Sequence, residues 1–569
     1  LTRQVKFDHQ LVNVKFDLIP FPASKIMQRF ALNSWTLLVL AIALIIAAPI
    51  LFVFSSVFTK SGAIWQHLAA TVLQDYIINS CWLMLLVGTG VCLIGVGTAW
   101  LVTMCRFWGS RWLQWFLLLP LAAPAYLLAY AYTEMLDYFG PVQTGLRNLF
   151  GWTSVQEYWF PEVRSLWGAA LMLLLVLYPY VYLLARVAFL EQSVCTIEAS
   201  RSLGCNPWRS FFTVALPLAR PAIIAGLALA LMETLNDLGT VEYFGVNTFT
   251  TGIYRTWLGM GERAAAAQLA AFLMIFVLIL IVLERRSRNA AQYYDRSSSI
   301  KRLTPFELNP WRSFWALLAC LFPVSFGFII PGLYLLQLTI NNLDTAFNDD
   351  FWQLAQHSFI LASITALAAM FISLLMAYGE RLKPNWLMKT AVRIAAMGYA
   401  IPGSVIAVGV LIPVAGLDNI IDRWMRSTFN ISTGLLLSGT IASLIFAYLV
   451  RFLAVAFGSV ESSLNKIAPS LDDASRSLGY GSTSTLWKVH TPLMSGGLLT
   501  AAMLVFVDVM KELPATLVIR PFNFDTLGIR VYQYASDERL AEAAAPALAI
   551  VLVGIIPVVL LSWRITRSR

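Results

Sequence analysis

The sequence predicts an all-α polytopic membrane protein with about twelve transmembrane helices, arranged as two parallel six-helix repeats. Three observations predict it. Of the 569 residues, 59% are apolar and 12% charged, about half the charge of an ordinary soluble domain. Apolar runs of about 20 residues, the length a helix needs to cross hydrocarbon, recur along the whole chain. The hexapeptide ASRSLG occurs at 199–204 and again at 474–479. The composition excludes a soluble enzyme, a disordered regulator and a nucleic-acid binder. The net charge of +9 falls between apolar runs, as membrane orientation signals do, and implies no nucleic-acid partner.

Backbone amides in lipid must be satisfied within their own segment, so each apolar run is expected to be helical. The runs lie near 35–58, 81–104, 113–136, 165–190, 221–241, 264–283, 313–338, 358–379, 391–415, 434–457, 496–513 and 541–563. The first is too long for a secretory h-region and lacks a small-residue cleavage pattern, so it reads as a retained span. Arg3, Lys6, Lys15, Lys25 and Arg29 precede it; Arg106 and Arg111, the cluster from Arg285 to Arg302, Arg381 to Lys389, and Arg564 to Arg569 continue on alternate connections. The positive-inside rule therefore puts both termini and the central linker in the cytoplasm. The expected division is a cytoplasmic segment 1–34, a first half 35–283, a cytoplasmic linker 284–312 and a second half 313–569. The chain begins at Leu1 instead of Met, which leaves its natural start open. Cys81, Cys92, Cys105, Cys195, Cys205 and Cys320 form no C-x-x-C pair and read as small apolar packing residues.

The offset between the two hexapeptides holds without a gap beyond them: Glu198 falls on Asp473, Val214 on Val489, Pro217 on Pro492, Glu233 on Asp508 and Asp237 on Glu512. This is a duplicated half of about six spans. An even number of crossings returns the second copy in the same orientation, so both ASRSLG loops emerge on one side, related by an axis along the membrane normal.

The loop EASRSLGCNPWRSFFTVALP at 198–217 and its counterpart DASRSLGYGSTSTLWKVHTP at 473–492 resemble the EAA loop, E-A-A-x3-G-x9-I-x-L-P, of binding-protein-dependent ABC importer permeases. The first copy matches at Glu198, Ala199, Gly204, Leu216 and Pro217; the second keeps Ala474, Gly479 and Pro492 but has Asp473 for Glu and Thr491 for Leu. The residues suit a docking feature. An acid favours a helix N-terminus, the run through Arg201 or Arg476 is helix-compatible, glycine can take positive φ at the C-cap, and proline at a helix start loses little. The resemblance implies a type I importer permease in fused two-half form. It also implies two copies of a cytoplasmic ATP-binding subunit at the two loops, a periplasmic substrate-binding protein on the other face, and a place in the bacterial inner membrane. No G-x4-G-K-[ST] phosphate loop occurs in the chain, so ATP and Mg are expected on the partner subunits and no cofactor on this one.

Two further stretches, 232–270 and 508–545, resemble the iron(III) permeases of the group. Relatives for thiamine, phosphonate, sulfate and polyamines share the architecture and remain alternatives. The candidate path residues are Glu233 and Asp237 with Asp508 and Glu512, each pair spaced four apart and so expected on one helical face. Counted from Pro221 at about 1.5 Å per residue, they lie ~18 to ~24 Å up the span, in the outer half of the bilayer. Acids at that depth either line a cavity suited to a hard cation or form structural pairs, with Lys511 placed to neutralise Asp508 or Glu512. Tyr130, Tyr132, Tyr178, Tyr180 and Tyr182 offer phenol oxygens but read first as membrane anchors. His9, His67, His357 and His490 are too scattered for a metal site. An ion-coupled secondary transporter would not need twin docking loops, and an embedded enzyme would need a convergent cluster that the sequence lacks.

Overall fold

The computed structural model describes residues 34–59, 62–191, 200, 202, 204, 206–289 and 306–567. Among the described residues, ten helices are long and apolar enough to cross a membrane, and two further pairs reach that length across a sharp bend. In chain order the principal helices are α1 (Ser34–Ser55), α2 (Leu73–Met104), α3 (Ala125–Leu136), α4 (Leu166–Glu191), α5 (Leu216–Asn236) and α6 (Arg263–Asn289). The second set is α7 (Pro310–Val324, prolonged by Ile330–Asn341), α8 (Asp349–Leu382), α9 (Gly403–Phe429), α10 (Ile441–Leu464), α11 (Ser495–Met510) and α12 (Leu540–Arg567). The helix α6 runs on to Asn289, past residue 284. The N-terminal segment and residues 290–305 lie outside the described residues.

The duplication is visible in the local geometry. The offset that separates the two hexapeptides also separates the starts of α4 and α10, and the π turns Phe211–Ala215 and Leu486–His490. The Ser200–Ser210 hydroxyl contact of 2.8 Å recurs as Ser475–Thr485 at 2.7 Å. Three π turns share a cause. Pro217, Pro331 and Pro492 each stand two residues beyond one, at Phe211–Ala215, Ser325–Ile329 and Leu486–His490. A proline inside a helix cannot donate and its ring presses on the carbonyl four residues back, and a wider turn relieves both.

Three expected spans differ in shape. The third is bent by 90° between Ser110–Ala122 and Ala125–Phe150, and the eleventh by 79° between Ser482–Leu493 and Ser495–Met510. The ninth, expected at 391–415, is broken between the short helix Trp386–Ala395 and α9. Pro124 and Pro402 stand at the corresponding breaks, where the restriction that proline places on its predecessor ends a helix.

The first helix of each half leans on the other half. α1 packs on α9 and Trp386–Ala395; Trp35 meets Tyr378 edge-on at 5.5 Å, and a Cβ on Gly409 would lie 2.6 Å from the Pro49 carbonyl. Between the two parts of α7, the Phe326 carbonyl accepts a 2.6 Å hydrogen bond from Tyr132 Oη, and Gly327 abuts the Leu175 carbonyl. Small residues let the backbones approach where hydrophobicity alone gives helices no reason to associate. Large apolar side chains such as Leu44, Leu85, Leu93 and Leu333 remain exposed on the outside, as a lipid-facing surface requires.

Candidate translocation and coupling site

α5 ends at Asn236 and α11 at Met510, so Asp237 and Glu512 lie beyond their helices. This corrects the expectation that each acid pair shares one helical face. The chain breaks between the two members because the second acid caps the next short helix. Asp237 accepts from Thr240 N and Val241 N at 3.1 Å each and from Thr240 Oγ1 at 3.0 Å, at the head of Gly239–Tyr243. Glu512 accepts from Ala515 N at 2.8 Å and Thr516 N at 3.0 Å, at the head of Pro514–Ile519. The starts of the two short helices keep the register of the repeat, and both acids satisfy amides that a helix leaves unpaired at its N-terminus.

All four acids line one cavity of about 90 Å³ between the halves, together with Tyr126, Tyr180, Asn236, Tyr399, Arg451 and Lys511. Tyr180 and Arg451 stand within two residues of the midpoints of α4 and α10, whereas Glu233 and Asp508 stand near the C-terminal ends of α5 and α11. Four acids face two cations, a formal excess of two negative charges.

The pairing within the cavity is uneven. Lys511 Nζ is 2.9 Å from Asp508 Oδ1, a local contact within one turn. Arg451 Nη1 is 2.9 Å from Glu512 Oε1, and Nη2 is 3.8 Å from Glu233 Oε1 of the other half. Arg451 was not legible as a site residue, since α10 reads as an ordinary apolar span with one arginine in it; that lone intramembrane charge was the available signal. Asn236 of the first half accepts from Gly403 N of the second at 2.6 Å, and the Tyr180 and Tyr399 hydroxyls meet at 3.4 Å. Of the tyrosines singled out in the sequence, only Tyr180 lines the cavity. Tyr132 and Tyr182 donate to backbone carbonyls, while Tyr130 and Tyr178 are buried in the protein interior. Among the described residues no three His, Cys, Asp or Glu side chains converge as a metal-binding group.

The repeated loops follow α4 and α10 in the chain, and the second is described throughout. In the second, the helix Ser470–Ser477 carries Asp472 and Asp473 in its first turn. It closes with Gly479 at φ +81° and a Tyr480 N to Ser475 O bond of 3.1 Å, a left-handed C-cap. Gly204 repeats the conformation at φ +77°, while Glu198, Ala199 and Arg201 lie outside the described residues. Asp473 and Arg476 face solvent. Leu478 is 76% exposed at the tip, an apolar side chain offered outwards.

The anchor of this loop is Asp472, the neighbour of the acid that the repeat pattern marks. Its Oδ2 accepts from Arg381 Nε at 2.9 Å and Nη2 at 2.7 Å, and its Oδ1 lies 2.7 Å from Nε2 of the fully buried His490. Arg381 also donates to the Leu464 and Ile467 carbonyls, at 2.7 and 2.9 Å. Burial alone would raise the Asp472 carboxyl; hydrogen bonds from Arg381 and His490 outweigh it and hold the group below the usual carboxylate range. The first half has Ile197 and Ala215 where the second has Asp472 and His490, so this lock belongs to one half only.

The profile of the binding-protein-dependent transport system inner membrane component family matches residues 92–286 and 369–567, once in each half. The chain belongs to that family. Among relatives of this permease, the Fe(3+)-transport system permease protein FbpB 2 of Haemophilus influenzae is 25% identical over 534 residues, covering 92% of this chain and 97% of that protein. The ferric transport system permease protein FbpB of Actinobacillus pleuropneumoniae is 23% identical over 96% of this chain and 80% of its own. The molybdenum transport system permease protein ModB of Escherichia coli is 31% identical but covers only 35% of this chain. The fused two-half permease with a type I importer architecture is therefore established, and it is a multi-pass inner membrane protein.

Proposed function

We propose that this permease carries ferric iron, released by a periplasmic binding protein, into the cytoplasm. In this reading two copies of an ATP-binding subunit, holding ATP and Mg, seat on loops 198–217 and 473–492, and both termini are cytoplasmic. This chain binds no cofactor and hydrolyses nothing. The observation that carries the cargo assignment is the cavity between the halves, with four acids against two cations. A trivalent ion within the membrane needs compensating charge, since desolvation is costly and an effective dielectric well below that of water strengthens each interaction. The full-length ferric relatives support the same cargo. A sulfate permease is among the partial relatives, but a cavity with excess negative charge repels an anion.

Geometry also suggests the division of labour. Asp237 and Glu512 are committed as caps and Asp508 to Lys511, which leaves Glu233, about one-third exposed, as the acid most open to a passing cation. Twin left-handed glycine caps give rigid turns through which a motor can push both halves. The test is reconstitution of the permease with its ATP-binding subunit and binding protein in liposomes. ATP-dependent accumulation of radioactive iron is expected, and a Glu233→Gln variant should slow it at least fivefold while the ATP-binding subunit still co-purifies. Iron uptake by the variant at the wild-type rate would refute the assignment of the path.

A further inference from the structure

The two cations of the cavity both come from the second half; the matching positions of the first half are Val176 and Asn236. The acids, by contrast, are duplicated. Of the two cations, one alone reaches across the halves. Arg451 is 4% exposed, lines the cavity, and bridges an acid of its own half at 2.9 Å to an acid of the other at 3.8 Å. Its guanidinium carbon lies 5.1 Å from the centre of the Phe452 ring, and its Nε has no hydrogen-bond partner. Buried charge with unused donors is costly unless a partner arrives or the group moves.

We propose that Arg451 is the tethered counter-ion of the pathway: it stands at the cation position between Glu233 and Glu512 while the cavity is empty, and cargo takes its place beside Glu233. This rests on the reading of the chain as a permease for a hard cation. With both cations in place the cavity holds two excess negative charges; with Arg451 withdrawn it holds three, which matches a trivalent ion. Glu512 survives the exchange, because Ala515 N, Thr516 N and Thr516 Oγ1 keep donating to its carboxylate. Lys511 is unsuited to the role, since its partner Asp508 lies on the preceding turn and does not part from it when the halves move. The longer contact, to Glu233 across the halves, is the one that such movement breaks. Gly403 leaves room for the tip: a Cβ there would lie 2.8 Å from both Arg451 Nη1 and Glu512 Oε1.

The test uses the full-length permease in lipid nanodiscs and terbium(III), a hard trivalent ion whose luminescence is sensitised by nearby tyrosines such as Tyr180 and Tyr399. Arg451→Gln should bind terbium at least tenfold more tightly than wild type, and adding Glu233→Gln should reverse the gain. Arg451→Lys keeps a charge on Glu512 and guards against loss of folding; its shorter reach to Glu233 should tighten binding about threefold. Unchanged affinity in Arg451→Lys and, where it folds, in Arg451→Gln would overturn the proposal, as would a gain that Glu233→Gln fails to reverse. The outcome is separable from the iron assignment: tighter terbium binding in a permease that transports no iron with its partners would leave the counter-ion in place and refute the cargo.

Discussion

Replacing Arg381 with Gln should unseat the second coupling helix while leaving the membrane spans folded. The side chain makes four hydrogen bonds, two to Asp472 and one each to the Leu464 and Ile467 carbonyls. Both partners of the ion pair are largely buried, at 16% and 12% side-chain exposure. Breaking a buried pair costs about 3–5 kcal/mol, and the residual exposure argues for the lower end, about 3 kcal/mol. At about 1.4 kcal/mol per tenfold change, the docked loop should lose roughly a hundredfold in population relative to its open form. Hydrogen exchange reads this directly: amides of 474–480 should exchange up to about a hundredfold faster, while those in the middle of α8 and α10 keep their protection. The sign of the pH dependence follows from the depressed Asp472 carboxyl. Its contribution is fully present above the ordinary carboxylate pKa of about 4 and is lost as pH falls through the lower native value. Asp472 therefore gives no change in loop protection between about pH 5 and 8. Unaltered exchange in the Arg381→Gln loop, or a collapse of α8 and α10 together with it, would refute the reasoning.

Three further outcomes are expected. Gly204→Val and Gly479→Val should weaken association with the ATP-binding subunit, measured by co-purification, through backbone strain of about 1–2 kcal/mol at positive φ; a Cβ at either site meets nothing within 4 Å, so Gly→Asn, which tolerates this conformation, should largely restore binding. Glu512→Gln should lower thermal stability far more than Glu233→Gln, by about 3 kcal/mol against under about 1, because the first acid is a buried cap and ion-pair partner and the second is partly exposed; equal melting shifts would contradict this. Single cysteines placed beside Arg201 and Arg476 should react with an impermeant thiol reagent only from the cytoplasmic side, and labelling of either from outside would break the parallel arrangement.

The architecture follows from the chain read alone. Backbone amides in lipid permit helices only, so hydropathy yields the spans, and one constant register that holds through the π turns and the glycine caps yields the parallel halves. Pro217, Pro492, Gly204 and Gly479 were legible because their roles depend on local backbone geometry. Where partners come from distant elements, packing settles the outcome. Spacing placed Asp237 and Glu512 on helical faces, but the chain breaks and turns both into caps. Arg451 gains its meaning from Glu233, which belongs to the other half of the chain and meets it only once the halves pack. Asp473 carried the repeat pattern, yet Asp472 anchors the loop, because Arg381 and His490 reach it from other helices. Periodicity records which face a residue occupies along its own element; which charges meet across a low-dielectric interior is fixed by how the elements pack.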